Sequence, residues 1–279
     1  MEIENLTLKD IEMMDYNQII GIIKETNRIP GGKNTIFELV NRTCLDRQSK
    51  VLEIGTSTGF TAIEISKLVP CNITSIDINK ISLEEAKKRA IEEGLTNINF
   101  VNGDVISLPF KDQSFDLVIV GNVFSLLYNK DTALKECKRV CKKNGFIAAV
   151  PMYYLENPNQ ELIESVSKAI QVKIKPMFKR DWERFFETPE LEVYFCKDFK
   201  FDYIEDNAIE EFTKIITNRA HLFKMQKESL IKLQKKYKSF MYLFRDNLST
   251  MGFSIILICN KRSWEDPELY TSKEVIKES

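Results

Sequence analysis

From residue 50 onward the chain alternates between two textures. Short apolar runs rich in Val and Ile fall at 51–54, 73–78, 98–101, 117–120 and 146–150. Longer charged segments with helical spacing separate them, at 60–69, 80–93 and 131–143. Strand-like runs alternating with helical stretches predict βαβ units and a parallel sheet. The runs are continuous rather than alternating, as strands covered on both faces require. Right-handed crossovers then place helices on both sides, and the expected fold is a doubly wound α/β sheet.

The flanks read differently. Leu6–Glu25 has helical texture, Arg28-Ile29-Pro30-Gly31-Gly32 is a loop by its Pro-Gly-Gly, and a second helix is expected over Thr35–Cys44. After Pro151 a helix is expected at 159–171, then a segment holding Pro176 and Pro189, then a strand near 197–204. Residues 205–246 are helical, with Leu230, Leu233, Tyr237, Phe240, Met241 and Phe244 forming an amphipathic stripe. Gly252–Cys259 reads as a final strand and 263–279 as a polar tail. The expected organisation is a helical arm (1–49), a core (50–204 and 247–262), a helical lid inserted at 205–246, and the tail.

Composition narrows the function. Forty Lys and Arg against 41 Asp and Glu leave a formal charge of −1, without the general basic surface of a non-specific nucleic-acid binder. The first 20 residues carry too many charges for a secretory segment, and no apolar run is long enough to span a bilayer. Six cysteines without a C-x-x-C pair read as free thiols of a reducing, cytoplasmic setting. Cys137 and Cys141 share a helical face, but with one histidine in the chain packing is the better reading, and no metal is expected. Acidic residues dominate 181–211 and basic ones 212–246. That pattern reads as two solvated helix faces, or as a basic rim for an anionic partner.

The chemistry concentrates at strand ends. Val51-Leu52-Glu53-Ile54-Gly55-Thr56-Ser57-Thr58-Gly59-Phe60 runs a buried strand through a glycine turn into a helix, leaving helix N–H groups free for a ligand. The next strand ends in Asp77, placed to accept both hydroxyls of a ribose. The third ends in Gly103-Asp104, an acceptor for an exocyclic amine, and the fourth in Gly121-Asn122. Together the tips outline a nucleoside-shaped site at the topological switch point. Taken singly, Asp77 also reads as a helix cap, Asp104 as a turn former and Asp116 as structural.

Residues 50–151 resemble the class I S-adenosylmethionine-dependent methyltransferases, in particular the small-molecule type that includes the ubiquinone and menaquinone C-methyltransferases. VLEIGTSTGFTAIEIS matches the first motif, ITSIDIN the second, GDVISLPFKDQSFDLVIV the third-to-fourth strand signature, and LKECKRVCKKNGFIAAVP the helix and fifth strand. The resemblance implies S-adenosyl-L-methionine as cofactor. Glu53, Gly55, Thr56, Ser57 and Gly59 would cradle its methionine part, and Asp77 its ribose. Ile78 would pack on the adenine, Asp104 and Val105 would bind the adenine edge, and Asn122 would lie near the sulfonium. Ser57 departs from the middle glycine common in the family. A seventh, antiparallel strand is implied beside the fifth, with Gly252–Cys259 as candidate. YNQIIGIIKETNRIPGG resembles the arm that covers the cofactor, with Arg28 as candidate partner for the cofactor carboxylate.

The implied reaction is in-line methyl transfer to a small organic acceptor, with alignment and desolvation as the protein's main contribution. A base is needed only for a protonated nucleophile. His221, the single histidine, and Tyr16 are the candidates, and no base is assigned; Tyr153 and Tyr154 are further polar groups near the expected entrance. Alternatives are a methyltransferase for RNA or protein docking on 212–246, and a non-catalytic cofactor binder. A nicotinamide dehydrogenase shares the first βαβ texture, but Asp104 and the final strand argue against it.

Overall fold

The structure is a computed structural model and describes residues 3–260; the tail expected over 263–279 lies outside them. Five parallel strands form its centre: β1 (Lys50–Ile54), β2 (Asn72–Asp77), β3 (Ile98–Asn102), β4 (Phe115–Gly121) and β5 (Cys141–Ala149). Three more follow: β6 (Met152–Tyr154), β7 (Leu191–Lys200) and β8 (Met251–Asn260). The order is β3-β2-β1-β4-β5-β8, with β6 and β7 also on β8. β8 runs antiparallel to β5, Phe146 opposite Cys259, as the final-strand expectation had it. Pro151 breaks the ladder after β5, and β6 resumes it along the same strand, Met152 opposite Phe253. The doubly wound, mostly parallel α/β sheet expected from the alternating runs is present.

The two-residue period of each strand explains the continuous apolar runs. Leu52 and Ile54 of β1 join Val118 and Val120 of β4 in one core layer. Val51, Leu117 and Ile119 point the other way, into a second layer. The helices α3 (Gly32–Thr43), α4 (Phe60–Leu68), α5 (Lys80–Glu92) and α6 (Lys130–Val140) close these layers, with α7 (Gln160–Ile170) and α8 (Lys179–Phe186) beyond β6. For α1 and α2 the N-terminal stretch breaks in two, Leu8–Met13 and Tyr16–Ile23, each opened by its own capping box: Thr7 with Asp10, and Asp15 with Gln18.

Three features depart from the sequence reading, the first being β6, which adds an eighth strand to the seven expected. Helix α8 sits inside the segment bounded by Pro176 and Pro189, where Trp182 and Phe186 give one buried stripe at i, i+4. The strand expected near 197–204 runs instead from Leu191 to Lys200. It is a mostly exposed edge strand whose one apolar run, Val193–Cys196, is flanked by charged residues rather than by a second buried face.

Residues 205–246 form α9 (Asp206–Ile216), a 3₁₀ turn (Ala220–Lys224) and most of α10 (Lys227–Leu248). They pack on the N-terminal arm rather than standing as a separate lid. Ile11, Ile19 and Ile23 of the arm share a core with Leu222, Met225, Leu233 and Tyr237. The arm and the insertion are thus one helical cap, seated over the C-terminal edge of the sheet. Burying each such aliphatic side chain contributes about 1.5–3 kcal/mol, which ties the two halves to each other.

Candidate functional site

The turn after β1 is built by left-handed backbone. Gly55 (φ +75°), Ser57 (+49°) and Gly59 (+86°) alternate with ordinary residues. A Cβ on Gly55 would lie 2.3 Å from Val123 Cγ2, and one on Gly59 2.9 Å from Ala86 Cβ, so both positions are closed to side chains. The amides of Gly55 and Thr56 both reach the Ile76 carbonyl, at 2.8 and 3.1 Å. Ser57 N–H donates to Asp77 Oδ2 at 2.8 Å, while Asn79 N–H donates to Asp77 Oδ1 at 2.8 Å. The expected ribose acid is therefore also the strut that holds the glycine turn. Ser57 carries a side chain on a backbone that suits glycine, at a cost of about 1 kcal/mol.

Glu53 is 4 % exposed and accepts a hydrogen bond from Ser75 Oγ at 2.8 Å. Burial pushes its carboxyl above the usual range; the hydroxyls of Thr56, Ser75 and Thr61 pull the other way. Thr56 Oγ1 lies near that carboxylate but makes no hydrogen bond of normal geometry, and is one of four buried side-chain polar atoms without a partner among the described residues. A buried carboxylate and an orphaned hydroxyl at the bottom of a cleft suit a polar, cationic ligand group.

That cleft has a volume of about 430 Å³ and runs along the tips of β1 and β4. Of the sequence candidates, Glu53, Gly55, Thr56, Ser57, Asn122, Arg28 and Tyr16 line it. The others stand outside the lining. Asp77 reaches it through Ser57. Ile78 is 73 % exposed, on an open shelf beyond the turn. Asp104 stands exposed at the end of β3, its Oδ1 accepting from Ile106 N–H at 3.1 Å, so the turn-forming reading holds for it as well. The Val105 side chain is buried in the core beside Ile76 and Leu108, which leaves only its main chain for a ligand. Gly59 shapes the start of α4 from behind.

The candidate base at 221 requires correction. His221 Nε2 lies 2.9 Å from the Ile22 carbonyl, at the C-terminal end of α2 and outside the cleft lining. A carbonyl only accepts, so Nε2 carries its hydrogen there and the ring fastens the cap. Arg219 does the same, donating to the carbonyls of Ile23, at 2.9 Å, and Lys24. Cations at a helix C-terminus are favourably placed against its dipole.

Tyr16 stands at the cleft wall, edge-on to Phe244 at 4.7 Å, its hydroxyl 3.4 Å from Glu25 Oε2. Burial raises the pKa of both Tyr16 and Glu25, with Arg28 and Arg219 partly offsetting the effect at Glu25. Tyr16 is therefore a neutral phenol, a hydrogen-bonding group rather than a base.

Several residues that shape the site carry no sequence signal. Arg89 of α5 donates to Thr58 Oγ1 at 3.0 Å, Thr26 Oγ1 at 3.1 Å and the Lys24 carbonyl at 2.7 Å, tying the glycine turn to the arm. These partners lie 31 to 65 positions away, beyond the reach of any local pattern, while Glu85 one turn back pairs with the same arginine at 3.3 Å. Asn122 is fixed by Ser125 Oγ, which donates to its Oδ1 at 2.6 Å, and by Met152 N–H at 3.2 Å. A second, apolar chamber of about 200 Å³ adjoins the cleft. A wider open groove of about 960 Å³ beside Tyr153, Lys179 and Asp198 includes none of the residues at the β1–β4 tips and lies apart from this chemistry.

The methyltransferase-domain family profile matches residues 45–187. Demethylmenaquinone methyltransferase of Staphylococcus haemolyticus is 27% identical over 165 residues, 58% of this chain and 65% of its own length. The chain spans just under two thirds of the length of such curated relatives. The crystal structure of the MccD protein superposes with a TM-score of 0.71 at 22% identity, covering 84% of this chain and 100% of that one. Phosphoethanolamine N-methyltransferase 2 of Haemonchus contortus, in complex with S-adenosyl-L-methionine, gives 0.67 at 15% identity over 92% of this chain and 58% of that one. At these identities the structural likeness is one of fold. With its strand order, its glycine turn and more than half of its length matched, the chain belongs to the methyltransferase-domain family and resembles the class I S-adenosylmethionine-dependent quinone methyltransferases.

Proposed function

We propose that this protein transfers a methyl group from S-adenosyl-L-methionine to a small organic acceptor, releasing S-adenosylhomocysteine. The observation that carries this reading is the cleft over the β1 turn, with the buried Glu53 carboxylate and the orphaned Thr56 hydroxyl in its wall. When bound, the cofactor supplies a methyl group already activated by a positively charged sulfur. Glu53, Gly55, Thr56 and Ser57 are placed for its methionine part, with Gly59 shaping the turn and Arg28 at the mouth for the carboxylate. Asp77 keeps a free lone pair on each oxygen for the ribose hydroxyls. Ile78 offers an apolar face for adenine, and Asp104 with the Val105 main chain its edge. Asn122, fixed by Ser125 and Met152, stands where cleft and chamber meet.

The arm and the 205–246 insertion serve in this reading as one cover that excludes water from the transfer. Much of the basic charge of 212–246 is committed within the molecule. Lys232 pairs with Glu12, Lys238 with Glu210 and Arg245 with Asp206, while Lys236 donates to the Ile11 and Glu12 carbonyls. This favours a small acceptor over docking on RNA or protein. Calorimetric titration with S-adenosylhomocysteine, followed by acceptor screening with methyl-labelled cofactor, tests the proposal. Saturable binding and label in a small-molecule fraction are expected; label confined to RNA or protein, or no binding, overturns it.

A further inference from the structure

The apolar chamber beside the cleft narrows the acceptor, and the argument rests on the proposed cofactor reading. The two spaces share Asn122, Leu126, Met152, Ile170, Phe244 and Leu248 in their walls, so they adjoin along this seam. Beyond this seam the chamber is bounded by Val166 and Ile174 on one side and Met177 and Met251 on another. Its volume is about 200 Å³. An apolar cavity of roughly 150 Å³ takes a benzene ring, so this one takes a single ring or a short aliphatic branch. Methionine walls adapt to such a group without fixing its exact shape.

The polar groups of the chamber are engaged with one another. Tyr154 Oη donates to Asn247 Oδ1 at 2.9 Å, and Asn247 Nδ2 lies 3.2 Å from Met251 Sδ. Asn122 is held by Ser125 and Met152. Lys175 is the one charged residue in the chamber wall and is exposed. Among the described residues that line the chamber none is a carboxylate or a histidine. Glu53, the carboxylate of the cleft, lies on β1 and lines the cleft but not the chamber. A cationic acceptor would leave its charge without a partner here, and an anionic one would find only the exposed Lys175. A nucleophile that must first lose a proton would find no carboxylate or imidazole in the chamber wall to take it.

We infer that the acceptor is an uncharged molecule that inserts a ring-sized apolar group into the Val166–Ile174–Met251 chamber and presents a nitrogen or sulfur whose lone pair is free at neutral pH. That lone pair forms the new bond to the methyl carbon while the carbon–sulfur pair withdraws onto the sulfonium sulfur. The positive charge passes from cofactor to product, and an N–H product sheds its proton to water afterwards. No general base acts, and no counter-charge has to be created in the chamber.

The test uses the full chain saturated with S-adenosylhomocysteine and reads binding by saturation-transfer NMR. Thioanisole and 4-methylpyridine are the neutral probes; benzoate and phenyl phosphate are the charged counterparts. Transfer to the neutral probes alone is expected, reduced at least fivefold in Ile174→Trp, which fills the chamber without touching the cleft. Val166→Phe serves as a second filling variant, and S-adenosylhomocysteine affinity within twofold of wild type reports that each variant is folded. With labelled cofactor, turnover of neutral amines or thioethers should exceed that of phenols and carboxylates by at least tenfold. Preferential binding of the anions, equal transfer in the filled variants, or turnover restricted to phenols and carboxylates overturns the inference. Any of these leaves the cofactor reading intact, whereas failure of the wild type to bind S-adenosylhomocysteine refutes that reading itself.

Discussion

Asp77→Asn separates the two roles that one carboxylate carries. Asp77 Oδ2 accepts from Ser57 N–H and Oδ1 from Asn79 N–H, both at 2.8 Å, and each oxygen retains one lone pair. In the asparagine variant only one oxygen remains, and the amide NH₂ must face a backbone donor. The structural loss is one hydrogen bond at a half-buried position, about 1 kcal/mol after solvent screening and a few degrees in Tm. The binding loss is larger. A hydrogen bond to a charged acceptor is worth about 1.5–3 kcal/mol, so losing one ribose contact weakens S-adenosylhomocysteine binding by roughly 10- to 150-fold. Calorimetry gives the affinity and thermal melting the stability, on the same preparations. A variant whose Kd stays within twofold of wild type while its Tm falls would refute the ribose assignment and leave Asp77 as a strut of the turn.

Further outcomes follow from the same geometry. Burial raises the Glu53 pKa above its ordinary 4.5, so its contribution to stability is full at acid pH and declines as pH rises through the raised folded value. Glu53→Gln removes that decline: its Tm relative to wild type should climb as pH rises above the ordinary carboxyl value of 4.5 while cofactor affinity drops, and a pH-independent gap would contradict the buried-acid reading. Ser57→Gly relieves a side chain at φ +49° and should change stability by no more than about 1 kcal/mol, in the favourable direction, with binding intact; a clear loss of Tm would show that the Ser57 side chain does more than tolerate its turn. Arg219→Ala removes donors to the Ile23 and Lys24 carbonyls. Amides of Tyr16–Ile23 should then exchange roughly tenfold faster in hydrogen-exchange measurements while β1 and β4 stay protected, and unchanged exchange would deny that this arginine fastens the cap.

The core was legible because its signals are local. A buried parallel strand must be apolar on both faces, a turn with Gly55 and Gly59 in left-handed backbone excludes side chains, and an acid at a strand tip sits beside that turn by topology. These constraints act within a few residues, so the sequence by itself determined the α/β class, a final strand near 252–259 and the positions of Glu53, Asp77 and Asn122, while the antiparallel direction of that strand came from the family resemblance. The edge strand β7 and helix α8 were harder, since β7 shows only the short run Val193–Cys196 among charged residues and a helix only eight residues long shows about two turns of periodicity. What tertiary structure alone decided is the cap and the chamber. His221 and Tyr16 looked equivalent as candidate bases; packing sent one to a helix end and the other to the cleft wall. Arg89 and Arg219 act on partners far along the chain, and the chamber wall draws on α7, α10, β6 and β8 together. Such surroundings arise from close approach of segments remote in sequence, where each residue's burial and partners depend on all the others, and no local pattern encodes them.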